Sequence, residues 1–385
     1  MTVSKKTIDG PWHLLDVGSI WMKEFASALA EQVDVVAWEP TFHKLGAFNK
    51  TTSVRELVDP PLRIRSFMQQ RGFARPVIKN LLPYRRKVRK LLLDQTSSPS
   101  SASTLVCTTP YYADVAEHWQ GPLIYYSTDL TWRYEGVDPN QVKQLDRRLC
   151  HVADLVCPNS QRIADYFKEV GCNPDKIAVV PNATRRSNIS DKVRAYPEEL
   201  PLDLRDVRRP VLGVLGDLSG NMDWIFIEKA IGFTPQFSWL FIGPTHRKIH
   251  DAHQGAARTR VMQIAKFIGM KPYGELQRYA RCLDAAVLPY LKKEPTYSGS
   301  STRFYEHLAA GRPMLATRGF HELLQKEGLL YLVDTPEELA DGAERLFKLG
   351  FRDGHEEDRF AASHHGTWSF RATTMRNALS AILRD

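Results

Sequence analysis

Tyr297 to Thr317 reads YSGSSTRFYEHLAAGRPMLAT, and its residue types suit the binding of a phosphorylated ligand. Ser298, Gly299, Ser300, Ser301 and Thr302 form a small-residue loop that opens into a helix from Thr302 to Ala310, ended by Gly311 and Pro313. The first turn of a helix leaves backbone N–H groups unpaired and carries partial positive charge, so such a loop can hold phosphate. Arg303 adds a full charge one position in. On a helical wheel Phe304 and Leu308 face a core, whereas Glu306 shares a side with Thr302 and Arg303. A carboxylate one turn from a phosphate site can accept hydrogen bonds from ribose hydroxyls. The same residues would also serve an ordinary serine-capped helix with a solvated glutamate, and spacing alone slightly favours that plainer reading.

Asp129 is the second candidate. It lies in Tyr125-Tyr-Ser-Thr-Asp-Leu-Thr-Trp132, just past a strand, where a carboxylate could take a proton from a hydroxyl or orient it. An Asp opening a turn is the commoner use of such a residue. His43 and His118 are further proton-transfer candidates from the same half, and Trp21, Trp119, Trp132 and Tyr134 could line a sugar site, although such aromatics are usually core. No D-x-D motif occurs, so no metal site is expected.

The third feature is basic. Pro61 to Leu93 contains no Asp or Glu, yet holds Arg63, Arg65, Arg71, Arg75 and Lys79, then the cluster Arg85, Arg86, Lys87, Arg89 and Lys90. Leu and Ile residues alternate with these charges, a mix that suits anionic lipid or phosphate as well as a plainly solvated face.

The elements that must position these residues alternate between strand and helix. A helix is expected over Ser19–Glu31, then strands at Val33–Ala37, Thr104–Thr108 and Pro122–Tyr126, a helix at Gln141–Ala153, a strand at Leu155–Cys157, a helix at Gln161–Val170 and a strand at Ile177–Val180. Residues 185–210 are polar and carry Pro197, Pro201 and Pro210, which reads as a linker. A second series follows: strand Val211–Leu215, helix Trp224–Ile231, strands Trp239–Ile242, Val261–Phe267 and Ala285–Leu288, the helix at 302–310, and strands Met314–Ala316 and Leu329–Val333. Thr335-Pro-Glu-Glu338 opens another helix, and Thr367–Leu383 forms a last one. The fold class is therefore α/β, two tandem doubly wound domains, with ligands expected at strand carboxyl ends in a cleft between them. The expected boundaries are 1–198, 199–366 and a terminal helix 367–385 returning to the first domain.

At 385 residues, 43% hydrophobic and 25% charged, with net charge +8, the chain has the composition of a globular protein with sizeable cores. No apolar run reaches the length of a membrane span. The first residues lack the apolar segment of a secretory signal, and the five scattered cysteines suggest neither a disulfide framework nor a zinc site. A cytoplasmic protein is expected, with peripheral docking on the inner membrane face as the use of its basic segment.

Phe304-Tyr-Glu-His-Leu-Ala-Ala-Gly-Arg-Pro-Met-Leu-Ala-Thr317 resembles the signature of the group 1, family-4-like glycosyltransferases of GT-B fold, approximately K-x-Y-E-Y-L-A-A-G-K-P-V-V-A-T. Arg209–Asp217, Phe241-Ile-Gly-Pro244, Lys271–Tyr279, Cys282–Tyr290, Leu145–Ser160 and Val179-Val-Pro-Asn182 resemble further blocks of that family in the right order. The resemblance implies transfer of a sugar from a UDP- or GDP-linked donor, with retention at the anomeric carbon and no cofactor or metal. It implies that Glu306 binds the donor ribose, that Ser300, Ser301 and Thr302 give N–H groups to the diphosphate, and that Arg303 offsets its charge as the sugar departs. It further implies base contacts from the loop holding Lys271 and Tyr273, a turn at Gly216 and Asp217 beside the diphosphate, and a lipid-linked or polysaccharide acceptor on the first domain. Two positions depart from the pattern: Ser298 stands where many members have a Glu that contacts the donor sugar, and Asp217–Asp223 replaces an Arg/Lys pair, leaving diphosphate charge to Arg303 and Lys271. A sugar-nucleotide epimerase is a second enzymatic reading, against which the 302–317 motif speaks. A catalytically silent GT-B module gripping phosphorylated or anionic partners is a third. The first reading expects a nucleotide sugar, a glycan or lipid-linked acceptor and an anionic membrane surface as partners, and no nucleic acid.

Overall fold

A computed structural model describes residues 6–42, 63–69, 103–194, 197, 199–245 and 249–384, with 39–42 and 63–69 by backbone alone. The chain divides into two compact units, one running to Pro181 and resuming at Trp368, the other spanning Asn182–Thr367. The dividing point is thus Pro181/Asn182, where the prolines of 185–210 had suggested 198/199.

In the first unit the strands are β1 (Trp12–Leu15), β2 (Val35–Phe42), β3 (Arg63–Gln69), β4 (Thr104–Cys107), β5 (Leu123–Ser127) and β6 (Leu155–Pro158). They pair in parallel in the order β3-β2-β1-β4-β5-β6. Helices α1 (Ile20–Ala30), α2 (Ala113–Ala116), α3 (Pro139–Val152) and α4 (Gln161–Glu169) connect them. Every residue of β1, β4, β5 and β6 is buried, which is why these strands read as unbroken apolar runs rather than alternating ones. Asp146 of α3 ties three elements together by accepting from Tyr125 of β5 and Tyr166 of α4, both at 2.7 Å. Desolvation pushes its carboxyl up to about 6, against the pull of the two hydroxyls.

The second unit repeats the plan. Its strands are β7 (Val211–Leu215), β8 (Ser238–Ile242), β9 (Lys266–Phe267), β10 (Ala285–Leu288), β11 (Met314–Ala316) and β12 (Tyr331–Leu332), parallel in the order β12-β11-β10-β7-β8-β9. The helices are α5 (Trp224–Phe233), α6 (Ala252–Ile264), α7 (Leu276–Ala280), α8 (Thr302–Ala310), α9 (Pro336–Lys348) and α10 (Glu356–His365). The last helix, α11 (Trp368–Ile382), belongs to the first unit, where Trp368 meets Phe25 of α1 edge to face and Arg376 donates to Gln32 at 3.0 Å.

Three expectations are corrected. Of the expected strand Val261–Phe267 only Lys266–Phe267 is one (β9): α6 runs on to Ile264, started by the Asp251 side chain capping Gln254 N–H at 2.9 Å. Its buried residues Gln254, Ala257 and Val261 have helical spacing, while Met262 and Ile264 are exposed. Ile177–Val180 is not a regular strand, though it runs beside β6, with Ile177 bridging Val156 and the N–H groups of Ala178 and Val180 donating to the Val156 and Pro158 carbonyls at 3.0 and 2.8 Å. Of the expected linker 185–210, the part 185–194 packs on the second unit, because Asn188 bonds Glu306 and Arg194 bonds the Phe351 carbonyl.

Candidate functional site

In the second unit the strand order reverses between β7 and β10, so the loops leaving their carboxyl ends diverge and open a crevice there. Ser219 and Gly220 after β7, and Leu291 to Lys293 after β10, line a cavity of about 520 Å³ with Asp251 and Gln254 of α6. The β10 loop runs on into α8, whose first turn therefore stands at the switch point.

Ser301 caps α8 by accepting from Phe304 N–H, and Gly311, at φ +66°, ends it. The Ser301 N–H donates to Glu322 at 2.8 Å, and Tyr305 hydroxyl holds the other oxygen of that carboxylate at 2.5 Å. The loop is anchored further by Ser300, whose hydroxyl accepts from Asn182 N–H and whose carbonyl accepts from the Asn182 amide at 2.7 Å. The N–H groups of Thr302 and Arg303 have no partner among the described residues, as the geometry of a first helical turn dictates.

Arg303 is only 7% exposed. One Nη donates to the Asp217 carbonyl, the guanidinium lies 5.0 Å from the Tyr290 ring centre, and the other Nη has no partner among the described residues. A buried guanidinium N–H without an acceptor costs free energy that an incoming oxyanion would recover. Gly216, at φ +108°, admits this arrangement: a Cβ there would sit 2.7 Å from Arg303 Nε. Gly243 permits it in turn, since its Cβ would strike the Gly216 carbonyl at 1.8 Å.

Glu306 is 2% exposed and held from three directions. Tyr273 hydroxyl donates to Oε1 at 2.6 Å, and the amides of Gln277 and Asn188 donate to Oε2 at 2.9 and 3.2 Å. The Arg185 guanidinium stacks 4.8 Å from the Tyr273 ring centre. Two expected residues, Tyr273 and Glu306, are thereby brought into one cluster. Next to Glu306, His307 is fully buried with neither ring nitrogen partnered among the described residues, and desolvation beside Arg303 drives its pKa down to about 3. Lys271 stands apart from this cluster, paired to Asp203 at 2.5 Å, so its charge is already neutralised. Ser298 is fully buried and donates to Glu294 at 2.8 Å. Sequence reasoning missed Glu294, Gln277, Asn188 and Glu322. Only Glu294, a charged residue four positions before Ser298, carried a local signal.

The first unit holds Asp129 in the loop after β5, beside Tyr134 and Thr128, whose hydroxyls hydrogen-bond its carboxyl. Desolvation nevertheless raises its pKa to about 6. Nearby, Arg133 and Lys143 lie 4.0 and 4.2 Å from the Trp132 ring centre. His118 contacts the Asp114 carbonyl, Trp119 is buried, and Trp21 is 40% exposed. His43 and the cluster Arg85, Arg86, Lys87, Arg89 and Lys90 lie outside the described residues. Among the described residues no helix is long and apolar enough to cross a membrane.

Comparison with known proteins finds likenesses to glycosyltransferases. Residues 209–348 match the model for glycosyl transferases group 1, a span that holds β7, the Gly216 turn and all of α8. These residues are thus similar to a group 1 glycosyltransferase domain. The chain is 23% identical over 208 residues to the Bacillus subtilis glycosyltransferase TuaH, named for teichuronic acid biosynthesis; the match covers 53% of this chain and 49% of that protein. The chain thus spans about half the length of the curated relative it matches. The fold resembles that of Anabaena HepE, solved with UDP and glucose, at TM-score 0.67 and 16% identity over 96% of this chain and 99% of that one. It also resembles sucrose-phosphate synthase from Thermosynechococcus elongatus, at TM-score 0.71 and 15% identity over 95% and 97%. The two parallel-sheet units therefore have the GT-B fold.

Proposed function

We propose that the chain is a glycosyltransferase that moves a sugar from a UDP- or GDP-linked donor, held by the second unit, to a lipid-linked or polysaccharide acceptor held by the first unit. The observation that carries this reading is the buried, unpartnered Nη of Arg303 beside the open first turn of α8. A diphosphate there would accept from Arg303 and from the N–H groups of Thr302 and Arg303. As the anomeric C–O bond breaks, negative charge grows on the departing phosphate oxygen, and these fixed donors stabilise it without reorganising. The acceptor hydroxyl oxygen forms the new bond to the anomeric carbon. Its proton passes to a base, and Asp129, titrating near 6, suits that task at neutral pH. The family resemblance supports retention at the anomeric carbon, and the naming of TuaH supports a surface glycan or glycolipid as product. The basic stretch 61–93 would dock this cytoplasmic enzyme on anionic lipid.

The test is to incubate the protein with UDP- and GDP-linked hexoses and a lipid-linked glycan acceptor, following both nucleoside diphosphate release and sugar incorporation. Equal release and incorporation support the proposal. Conversion of the sugar while still attached to its nucleotide would make the protein an epimerase instead. No turnover, with charge-dependent retention on anionic vesicles alone, would favour a silent binding module.

A further inference from the structure

At the end of the second sheet away from the crevice, the helices carry exposed apolar residues that core packing does not use. α5 and α6 each lead into the amino end of the next parallel strand, β8 and β9, so their carboxyl ends stand at one edge. Arg260 of α6 donates to Glu228 of α5 at 2.8 Å, which sets these helices side by side. α9 also lies against α5: Gln236, in the turn before β8, donates to Glu344 at 3.1 Å, and Phe237 meets Phe347 edge to face at 6.0 Å. Phe226, Ile227, Val261 and Leu346 turn into the core from these three helices. Phe233, Ile264, Phe347 and Leu349, at or just past the helix ends, are instead between 46% and 60% exposed.

Exposed cations are interleaved with these four. Lys229 shares a helix face with Phe233, Lys348 sits between Phe347 and Leu349, and Lys266 and Arg352 follow Ile264 and Leu349 closely in the chain. Lys229, Lys266 and Arg352 form no ion pair among the described residues, and Lys348 has Glu344 at 3.8 Å. The carboxylates along this edge, Glu228 and Glu344, are already engaged by Arg260 and Gln236. The loop before β7, whose Pro210 carbonyl accepts from Ser238 N–H at 2.9 Å, adds Arg205 and Arg208 against Asp206. An apolar patch of this kind is a docking surface, and its charge selects the occupant. A second copy would press like charges together and is disfavoured. Anionic lipid satisfies both components, because apolar side chains enter the acyl boundary while cations stay at the phosphate level. We propose that this edge of the second unit docks on an anionic bilayer through Phe233, Ile264, Phe347 and Leu349 and the cations between them. The crevice, at the carboxyl ends of the same strands, stays open to solutes. This surface is distinct in sequence from the basic stretch 61–93, and it does not depend on the transferase reading, since lipid binding is measured without donor or acceptor.

The test sediments the full chain with vesicles of phosphatidylcholine alone, or of equal parts phosphatidylcholine and phosphatidylglycerol. Wild type is compared with two double variants, Ile264→Ser with Phe347→Ser and Lys229→Glu with Lys348→Glu. Each variant should partition to the mixed vesicles about 10-fold or more weakly than wild type. The charge variant alters only exposed side chains, so it answers the question even if the apolar one folds poorly. Hydrogen exchange in the wild type should slow at the amides of 229–236, 262–268 and 346–352 on mixed vesicles and not on phosphatidylcholine. Equal vesicle binding by all three proteins, with exchange in these segments unchanged, would overturn the assignment and leave docking to the stretch 61–93. A wild type that does not bind the mixed vesicles would overturn it too. A lipid-free wild-type dimer that both variants dissociate would show that the edge joins two copies instead.

Discussion

Replacing Glu306 with alanine should destabilise the second unit as well as weaken ligand binding, and the size of the first effect follows from the contacts. Three donors converge on this buried carboxylate: Tyr273, Gln277 and Asn188. Hydrogen bonds to a charged group net about 1.5–3 kcal/mol each, so simple addition would exceed 4 kcal/mol (roughly). Two facts reduce the sum. Gln277 keeps the Glu306 carbonyl at 2.7 Å and Asn188 keeps Thr184 Oγ1 at 2.8 Å, so neither amide is orphaned. Removing a buried carboxyl also removes its desolvation cost. A net loss of about 2–4 kcal/mol remains, equivalent to a fall of about 4–16 °C in the melting temperature of a unit this size. Glu306→Gln, which keeps one oxygen for the amides and lets the Tyr273 hydroxyl turn to accept, should lose less than about 1.5 kcal/mol. Hydrogen exchange at the amides of α8 in increasing urea reads the second unit directly, whereas whole-chain fluorescence would mix in Trp12, Trp38 and Trp368 of the first unit. An alanine variant that unfolds with the wild type would refute the convergent cluster. One that is destabilised yet binds nucleoside diphosphate with unchanged affinity would reduce Glu306 to a structural part.

Three further outcomes are expected. His307→Leu removes two unpartnered ring nitrogens and should stabilise the second unit by about 1–2 kcal/mol at pH 7. Because the native ring resists protonation down to about 3 while the unfolded ring titrates near its ordinary value, wild-type stability should fall with pH below about 6.5, and urea midpoints of the variant should lack that part of the slope. Asp129 has a raised native pKa, so its burial costs nothing below its unfolded value of 3.8 and costs most above about 6; Asp129→Asn should gain stability at pH 7.5 and none at pH 3.5 in paired thermal melts. Activity of the wild type should decline as pH drops through about 6, and the variant's residual rate should show no such limb. Gly216→Ala must adopt φ +108° and push against Arg303 Nε, so nucleoside diphosphate affinity should fall about 10-fold in a titration, with an accompanying loss of about 1–3 kcal/mol in a urea melt.

The start and end of α8 were legible because both ends are written locally: Ser301 supplies the cap, and Gly311 the left-handed residue that closes the helix. Val211–Leu215 and Met314–Ala316 were equally plain, as buried apolar runs between turn residues. Val261–Phe267 misled because its apolar residues suit either period, and Asp251, the residue that decides, lies ten positions upstream. The site itself was legible only in part. Arg303, Glu306 and Gly216 follow from residue type near a helix start, but Asn182 and Asn188 reach α8 from 118 positions away, and nothing near them in sequence marks the contact. Lys271 looked available for phosphate because its partner Asp203 is 68 positions distant. Within the basic stretch, only the backbone of β3 is described.

Titration of UDP and GDP into the wild type and into Arg303→Gln is the most direct test of the central claim that the first turn of α8 and Arg303 hold a nucleoside diphosphate. The account predicts saturable binding of at least one of the two, weakened about 10-fold or more by the substitution. The ligand-free variant also loses the bond to the Asp217 carbonyl and the contact with the Tyr290 ring, so a lowered melting temperature by itself does not count for or against the claim, which rests on the ratio of affinities. Binding of equal strength in both proteins, or of neither nucleotide to the wild type, would contradict it.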